Sequence, residues 1–231
     1  MYSDPRKLER GDPLLTLAAP ADYPIDPEPC TVSVAPVEVP RLIDRFPVAW
    51  RLGQKVPDLV AIIGLRPDQS YWRRVRDGVS TVRPLLIEAY PLTTLDDGVT
   101  EKLPVLVDGL SPRTGAACVP AFREDGSASP ELDRRCQALW TFIRSRRALA
   151  GLFSDLEARQ AFVPWALDFR SETDSVSIEG LFVLRPEFDG SQDQRDLIAT
   201  HGWAAAQLMS LHRISLHRIK SLLKDLSARA A

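Results

Sequence analysis

The feature that most constrains this chain is a change of hydrophobic period near residue 128. Before it, short apolar runs alternate or lie in blocks of four to eight: "CTVSVAPVEV" (30–39), "LVAIIGL" (59–65), "RPLLIEAY" (83–90) and "LPVLVDG" (103–109). Such runs read as strands. Asp-Gly pairs at 77–78, 97–98, 108–109, 125–126 and 189–190 punctuate the chain, and Asp-Gly supplies the positive φ of tight turns. Short strands joined by tight turns pair antiparallel, because parallel pairing needs crossovers of about a dozen residues or more.

After 128 the period becomes helical. Ser129-Pro130 fits an N-cap and first helical position, and Leu132, Cys136, Leu139 and Ile143 then recur on one helix face. Ser154 and Glu157 have the spacing of a capping box. "DSVSIEGLFVL" (174–184) returns to strand alternation, and a long helix is expected from about Asp193 to Ser227, interrupted in composition only by Gly202. Strands first and helices later imply an α+β fold: a mainly antiparallel sheet in the N-terminal half, packed against C-terminal helices, with a long C-terminal helix. Residues 1–29 hold six of the nineteen prolines and no sustained period. They read as an extended arm preceding one domain over 30–231.

Composition excludes several classes. A net charge of −2 offers no basic excess for phosphate, so no nucleic-acid partner is expected. No apolar run approaches the length of a membrane span, and the opening residues lack the apolar core of a signal peptide, so a cytoplasmic location is expected. Cys30, Cys118 and Cys136 are odd in number and widely spaced, unlike a disulfide framework or zinc knuckle. No phosphate-loop, dinucleotide, nucleophile-elbow or zinc-helix motif is present. No cofactor and no metal is therefore expected, although Glu88, Asp96, Asp97 and Asp108 are scattered carboxylates that a fold can gather. Those next to glycine are better read as turn formers.

The stretch "LHRISLHRIK" (211–220) carries two of the three histidines. His212 and His217 project about 140° apart on a helix, so they do not share a ligand. His212 lies beside the apolar stripe of Leu208, Leu211, Ile219, Leu222 and Leu226, and it is a candidate general base if a carboxylate orients it. The stripe itself has room to pack on the chain's own sheet or on a second copy, and the pattern leaves both open. "YWRRVR" (71–76) and "IRSRRAL" (143–149) mix arginine with apolar residues and read first as solvated faces.

Four stretches, in order, resemble the SapC family of bacterial proteins associated with surface layers. "VPRLIDRFPVAW" carries an aromatic-Pro-aliphatic-x-aromatic signature at Phe46, Pro47, Val48 and Trp50, and "LVAIIGLRPDQSYW" follows it. "VRPLLIEAYPL" is similar to the family at Pro84, Tyr90 and Pro91. "IEGLFVLRPEF" with "QLMSLHRISLHRI" is similar at Gly180, Ser210 and Leu211. Glu88-Ala89 and Gln69-Ser70-Tyr71 depart from the pattern, so the chain looks like a divergent member. The resemblance implies no catalytic residues. It implies a genetic setting beside halogenase-like and cupin-like proteins and TonB-dependent receptors.

The expectation is a non-catalytic accessory protein that binds a peptide, small molecule or partner enzyme. Phe46, Trp50, Trp72, Tyr90 and His212 are the candidate binding residues, with Phe46–Trp50 and Tyr90-Pro91 as apolar rims. The alternative is an enzyme acting on a peptide or aromatic metabolite through scattered Asp, Glu and His residues.

Overall fold

In the computed structural model, the described residues are 2–12, 14–25, 29–52, 57–66, 82–96, 100, 102–170 and 175–227. The chain is α+β. Its main sheet has five antiparallel strands in the order β3 (Thr31–Ser33), β5 (Asp58–Ile62), β4 (Val48–Arg51), β12 (Phe182–Leu184), β9 (Phe162–Pro164). A three-stranded sheet orders β1 (Pro5–Lys7), β7 (Leu106–Asp108), β6 (Leu92–Thr93), and two two-stranded antiparallel pairs join β2 (Thr16–Ala18) to β8 (Cys118–Pro120) and β10 (Leu167–Arg170) to β11 (Ser175–Ile178). The main sheet thus recruits β9 and β12 from between the helices to complete three strands of the N-terminal half. Pro164 sits in an outer strand, where a missing N–H costs no ladder bond.

Alternation along β4 and β5 divides the core into layers. Val48, Trp50, Leu59, Ala61 and Ile63 face one cluster with Leu152, Phe153, Leu197, Ala205, Leu208 and Met209. Ala49, Val60 and Ile62 face the opposite side, against Leu167, Val176, Leu181 and Leu222. Both faces are covered, so these strands read as continuous apolar runs.

The helices follow the local signals with three corrections. Helix α3 (Pro130–Ala148) begins as expected: Ser129 Oγ accepts from the Leu132 N–H at 3.3 Å, and Leu132, Leu139 and Ile143 are buried. Ser154 does not cap a new helix. Helix α4 (Ala150–Ala158) follows α3 after one residue, and the Ser154 hydroxyl donates to Ala150 O within it. "RPLLIEAY" is not a strand either. After helix α1 (Val39–Leu42), Leu85–Ala89 forms the short helix α2, because a brief apolar run is equally at home in either state and Leu, Glu and Ala favour the helix. Finally, the C-terminal helix is broken at Gly202, whose φ of 71° only glycine adopts readily, into α5 (Gln192–His201) and α6 (Trp203–Ser215). A 3-10 turn over Leu216–Arg218 carries the long helix on into α7 (Ile219–Ser227). The arm pairs with the rest of the chain through β1 on β7 and β2 on β8.

Helix α6 grips the main sheet by a device the pattern did not reveal. β12 and β4 pair at Phe182↔Trp50, so antiparallel register sets Leu184 opposite Val48. The ladder is not closed there by main chain. The His212 ring donates from Nδ1 to Val48 O at 2.8 Å and accepts at Nε2 from the Leu184 N–H at 3.3 Å. Ser215 Oγ accepts from the Val48 N–H at 2.9 Å, and the Arg213 guanidinium donates to Leu184 O at 2.5 Å and Arg185 O at 2.6 Å. Side chains of one helical turn therefore satisfy all four main-chain groups of a missing ladder pair. The imidazole must be neutral with its proton on Nδ1, since Nε2 faces a donor.

Two buried titratable groups pull stability in opposite directions. Burial, helped by the nearby Arg213 charge, pushes the His212 imidazole down to about 4. The stability this contributes is complete above the ordinary value near 6.5 and is lost as pH falls toward about 4. Glu38, 2 % exposed, is pushed up to about 7 by burial despite N–H bonds from Ala35 and Leu85, both at 2.7 Å, and the Arg41 guanidinium. Its contribution is present below its ordinary value of 4.5 and is lost as pH rises through about 7.

Replacing His212 with Ala strands a buried donor and acceptor and should lower unfolding stability by about 2–5 kcal/mol, read from urea denaturation with unchanged slope. Ser215→Ala should cost about 1–3 kcal/mol, and the double variant less than the sum. Because the two titration windows overlap, wild-type stability should change little between about pH 4.5 and 6.5, whereas Glu38→Gln should gain about 3 kcal/mol over that rise. A parallel pH dependence in both proteins contradicts the opposed pair.

Candidate functional site

Four of the five candidate binding residues are interior. Phe46 is 2 % exposed and Trp50, Tyr90 and His212 are fully buried. Trp72, with the rest of "YWRRVR", lies outside the described residues. Trp50 packs edge-on against Phe153 with centroids 4.8 Å apart, and against Phe162 at 5.1 Å. These contacts make Phe46 and Trp50 part of the packed core and not of a rim. No carboxylate orients His212, whose ring nitrogens both meet main chain.

Tyr90 anchors a second buried polar assembly. Its ring stacks on Tyr2 and meets Tyr23 edge-on, its hydroxyl donates to Asp108 at 2.7 Å, and the following peptide to Pro91 is cis. Asp108 also accepts from the Asp4 N–H at 3.0 Å and the Ser3 N–H at 3.2 Å. Burial acts to raise the Asp108 carboxyl, but these donors together outweigh it and hold the group below the usual carboxylate range. Burial, reinforced by Asp108, pushes the Tyr90 phenol up. Arg135, 1 % exposed, donates to the Tyr90 and Ala18 carbonyls and pairs with Glu131 at 2.7 Å. Arm, turn and helix α3 are thereby tied together, which commits these groups to architecture.

A concave site lies beside this assembly, over helix α3. It is a groove of about 490 Å³ whose floor is Leu86, Leu139, Phe142 and Ile143. Ser33 of β3 borders one side, and Thr93 to Asp96, leading out of β6, border the other. At the Ser33 side the Arg146 guanidinium lies over the Phe142 ring at 5.4 Å and pairs with Asp58 at 3.1 Å, and Asp58 also accepts from the Ser33 hydroxyl. At the other side Arg147 pairs with Asp96 at 2.6 Å. Leu95, 72 % exposed, stands at the lip. An apolar floor with a few convergent polar groups and a volume in this range is the composition of a ligand cleft. The Ser33 hydroxyl donates to Asp58, and that carboxylate is already paired with Arg146.

The sequence expectations reached this groove only in part. Leu139 and Ile143 were visible as a helix face, but their pattern is that of core residues, and nothing local distinguishes a floor from a core. Of the cluster expected on a solvated face, Arg144 is exposed as expected, while Arg146 lines the groove and Arg147 holds its Asp96. These two are half-buried and paired. Among the scattered carboxylates, Asp96 pairs with Arg147, Glu88 with Arg134 at 3.1 Å, and Asp108 joins the tyrosines. Asp97 is outside the described residues. No group of three or more His, Cys, Asp or Glu side chains suited to a metal occurs among the described residues, and no helix among them is long and apolar enough to cross a membrane.

No curated protein and no solved structure matches the chain. The SapC family model does match, over residues 15–222, a span that takes in the His212 assembly, the Tyr90 assembly apart from Tyr2, Ser3 and Asp4, and all of the groove except Tyr2. By that match over most of its length, this chain belongs to the SapC family.

Proposed function

We propose that this chain is a non-catalytic accessory protein of the cytoplasm that binds a peptide, a small molecule or a segment of a partner enzyme in the groove over α3. The observation that carries the reading is the groove's make-up: a floor of Leu86, Leu139, Phe142 and Ile143, a hydroxyl from Ser33, and arginine–carboxylate pairs at both flanks. The acid–base groups of the core support it from the other side. His212 is spent on main chain, Asp108 on tyrosine and amide donors, and Glu38 on the amides of Ala35 and Leu85. The setting implied by the family, beside halogenase-like proteins and TonB-dependent receptors, is one in which an accessory binding subunit has partners to serve.

Ligand-observed NMR with a library of small apolar fragments and short capped peptides tests the reading, with Thr94→Trp as the groove-filling variant. Binding to the wild type should weaken at least about tenfold in the variant, while its melting temperature stays within about 2 °C. Hits unaffected by Thr94→Trp, or turnover of an aromatic metabolite or peptide by the purified chain, contradict it.

A further inference from the structure

The groove is bordered by two open sheet edges. β3 is an outer strand of the five-stranded sheet and β6 an outer strand of the three-stranded sheet. In an antiparallel ladder, residues alternate between bonding their partner strand and turning their N–H and C=O the other way. The Val34 N–H donates to Leu59 O and the Ile63 N–H to Cys30 O, each at 2.8 Å. Cys30, Val32 and Val34 therefore face β5, and the main-chain groups of Thr31 and Ser33 point out of the sheet with no hydrogen-bond partner among the described residues. The same parity holds on β6. The Asp108 N–H donates to Pro91 O at 3.0 Å, so Leu92 and Thr94 turn outward. The Tyr2 hydroxyl donates to Leu92 O at 3.1 Å and closes that position, which leaves the Thr94 main chain open. Ser33 and Thr94 both line the groove.

We propose that the occupant of the groove is an extended, uncharged peptide segment that adds to the β3 edge as a sixth strand, with alternate apolar side chains seated on the α3 floor. This deepens the binding role proposed above and rests on it. The open groups at Thr31 and Ser33 are two residues apart, the repeat at which a strand offers matching donors and acceptors along one side. A ligand without peptide groups leaves them unmatched. Charge complementarity sets the rest. Arg146 and Arg147 are each neutralised by an aspartate, so the rim carries no net charge, and an acidic or basic segment gains contact only by breaking one of those pairs. The floor selects apolar residues at every second position, which fixes register, since a slip of one residue turns them to solvent.

The probe is the capped heptapeptide acetyl-Thr-Leu-Thr-Leu-Thr-Leu-Thr-amide, followed by amide chemical-shift changes in the full chain. Two further versions carry N-methyl groups, one on every Leu and one on every Thr. In an added strand all residues whose side chains face the floor direct their N–H to the same side. One methylated series should therefore lose affinity at least about tenfold and the other bind about as the parent does. Ser33→Pro, at an outer strand that tolerates proline, should weaken the parent peptide by a similar factor. Equal affinity of both methylated series, or no peptide binding at all, overturns the proposal. So does a dimer of the chain that Ser33→Pro dissociates, since a second copy then holds the edge. Small apolar fragments that bind where the peptides do not overturn strand addition and leave the binding role standing. A groove that takes neither removes both.

Discussion

Two halves of the main sheet meet at a seam that main-chain hydrogen bonds alone do not close. On one side lie β4, β5 and β3; on the other lie β12 and β9. Where Val48 and Leu184 should exchange ladder bonds, His212, Arg213 and Ser215 stand between them and supply every partner. Unsatisfied buried main-chain groups cost more than a typical hydrogen bond returns, so this substitution is obligatory once the strands part. It also fixes helix α6 in rotation and height, which buries the stripe of Ala205, Leu208 and Met209 against the chain's own sheet.

The second constraint is the polar assembly around Arg135. A buried arginine is costly unless its donors are used. Here they reach the carbonyls of Ala18 and Tyr90, while Glu131 takes the charge. One side chain thus ties the arm and the turn before Pro91 to helix α3. Asp108 does the same for the start of the arm through Ser3 and Asp4. The consequence for function is indirect: α3 is held at a set distance from the edges of β3 and β6, and the groove is the space left between them.

Much of the fold was legible because local and tertiary signals agree. Ser129-Pro130 begins a helix as such a pair should, and the short apolar runs "LVAIIGL" and "LPVLVDG" mark real strands. Legibility failed where one residue has two physical uses. "RPLLIEAY" is apolar enough for a buried strand, but Pro84 and the helix-favouring residues after it turn it into α2. Gly202 weakens a helix only mildly by composition, yet its positive φ ends one. His212 beside an apolar stripe gave the right face and the wrong task, because its role is set by strands distant in sequence. The groove was illegible for the same reason: Ser33, Leu86, Thr94 and Arg146 come from four segments, none with a local signature of binding.

Residues that look chemical in the sequence are engaged in holding the frame, and the proposed binding role falls to the groove beside the β3 edge. The central claim is that His212 is a fixed, neutral connector and not a titrating base. A long-range proton–nitrogen NMR spectrum of the imidazole tests it directly. The account predicts a single neutral ring with its proton on Nδ1, unchanged as pH falls from about 7 to about 5. A ring protonated on Nε2, or one that titrates near 6.5, contradicts it.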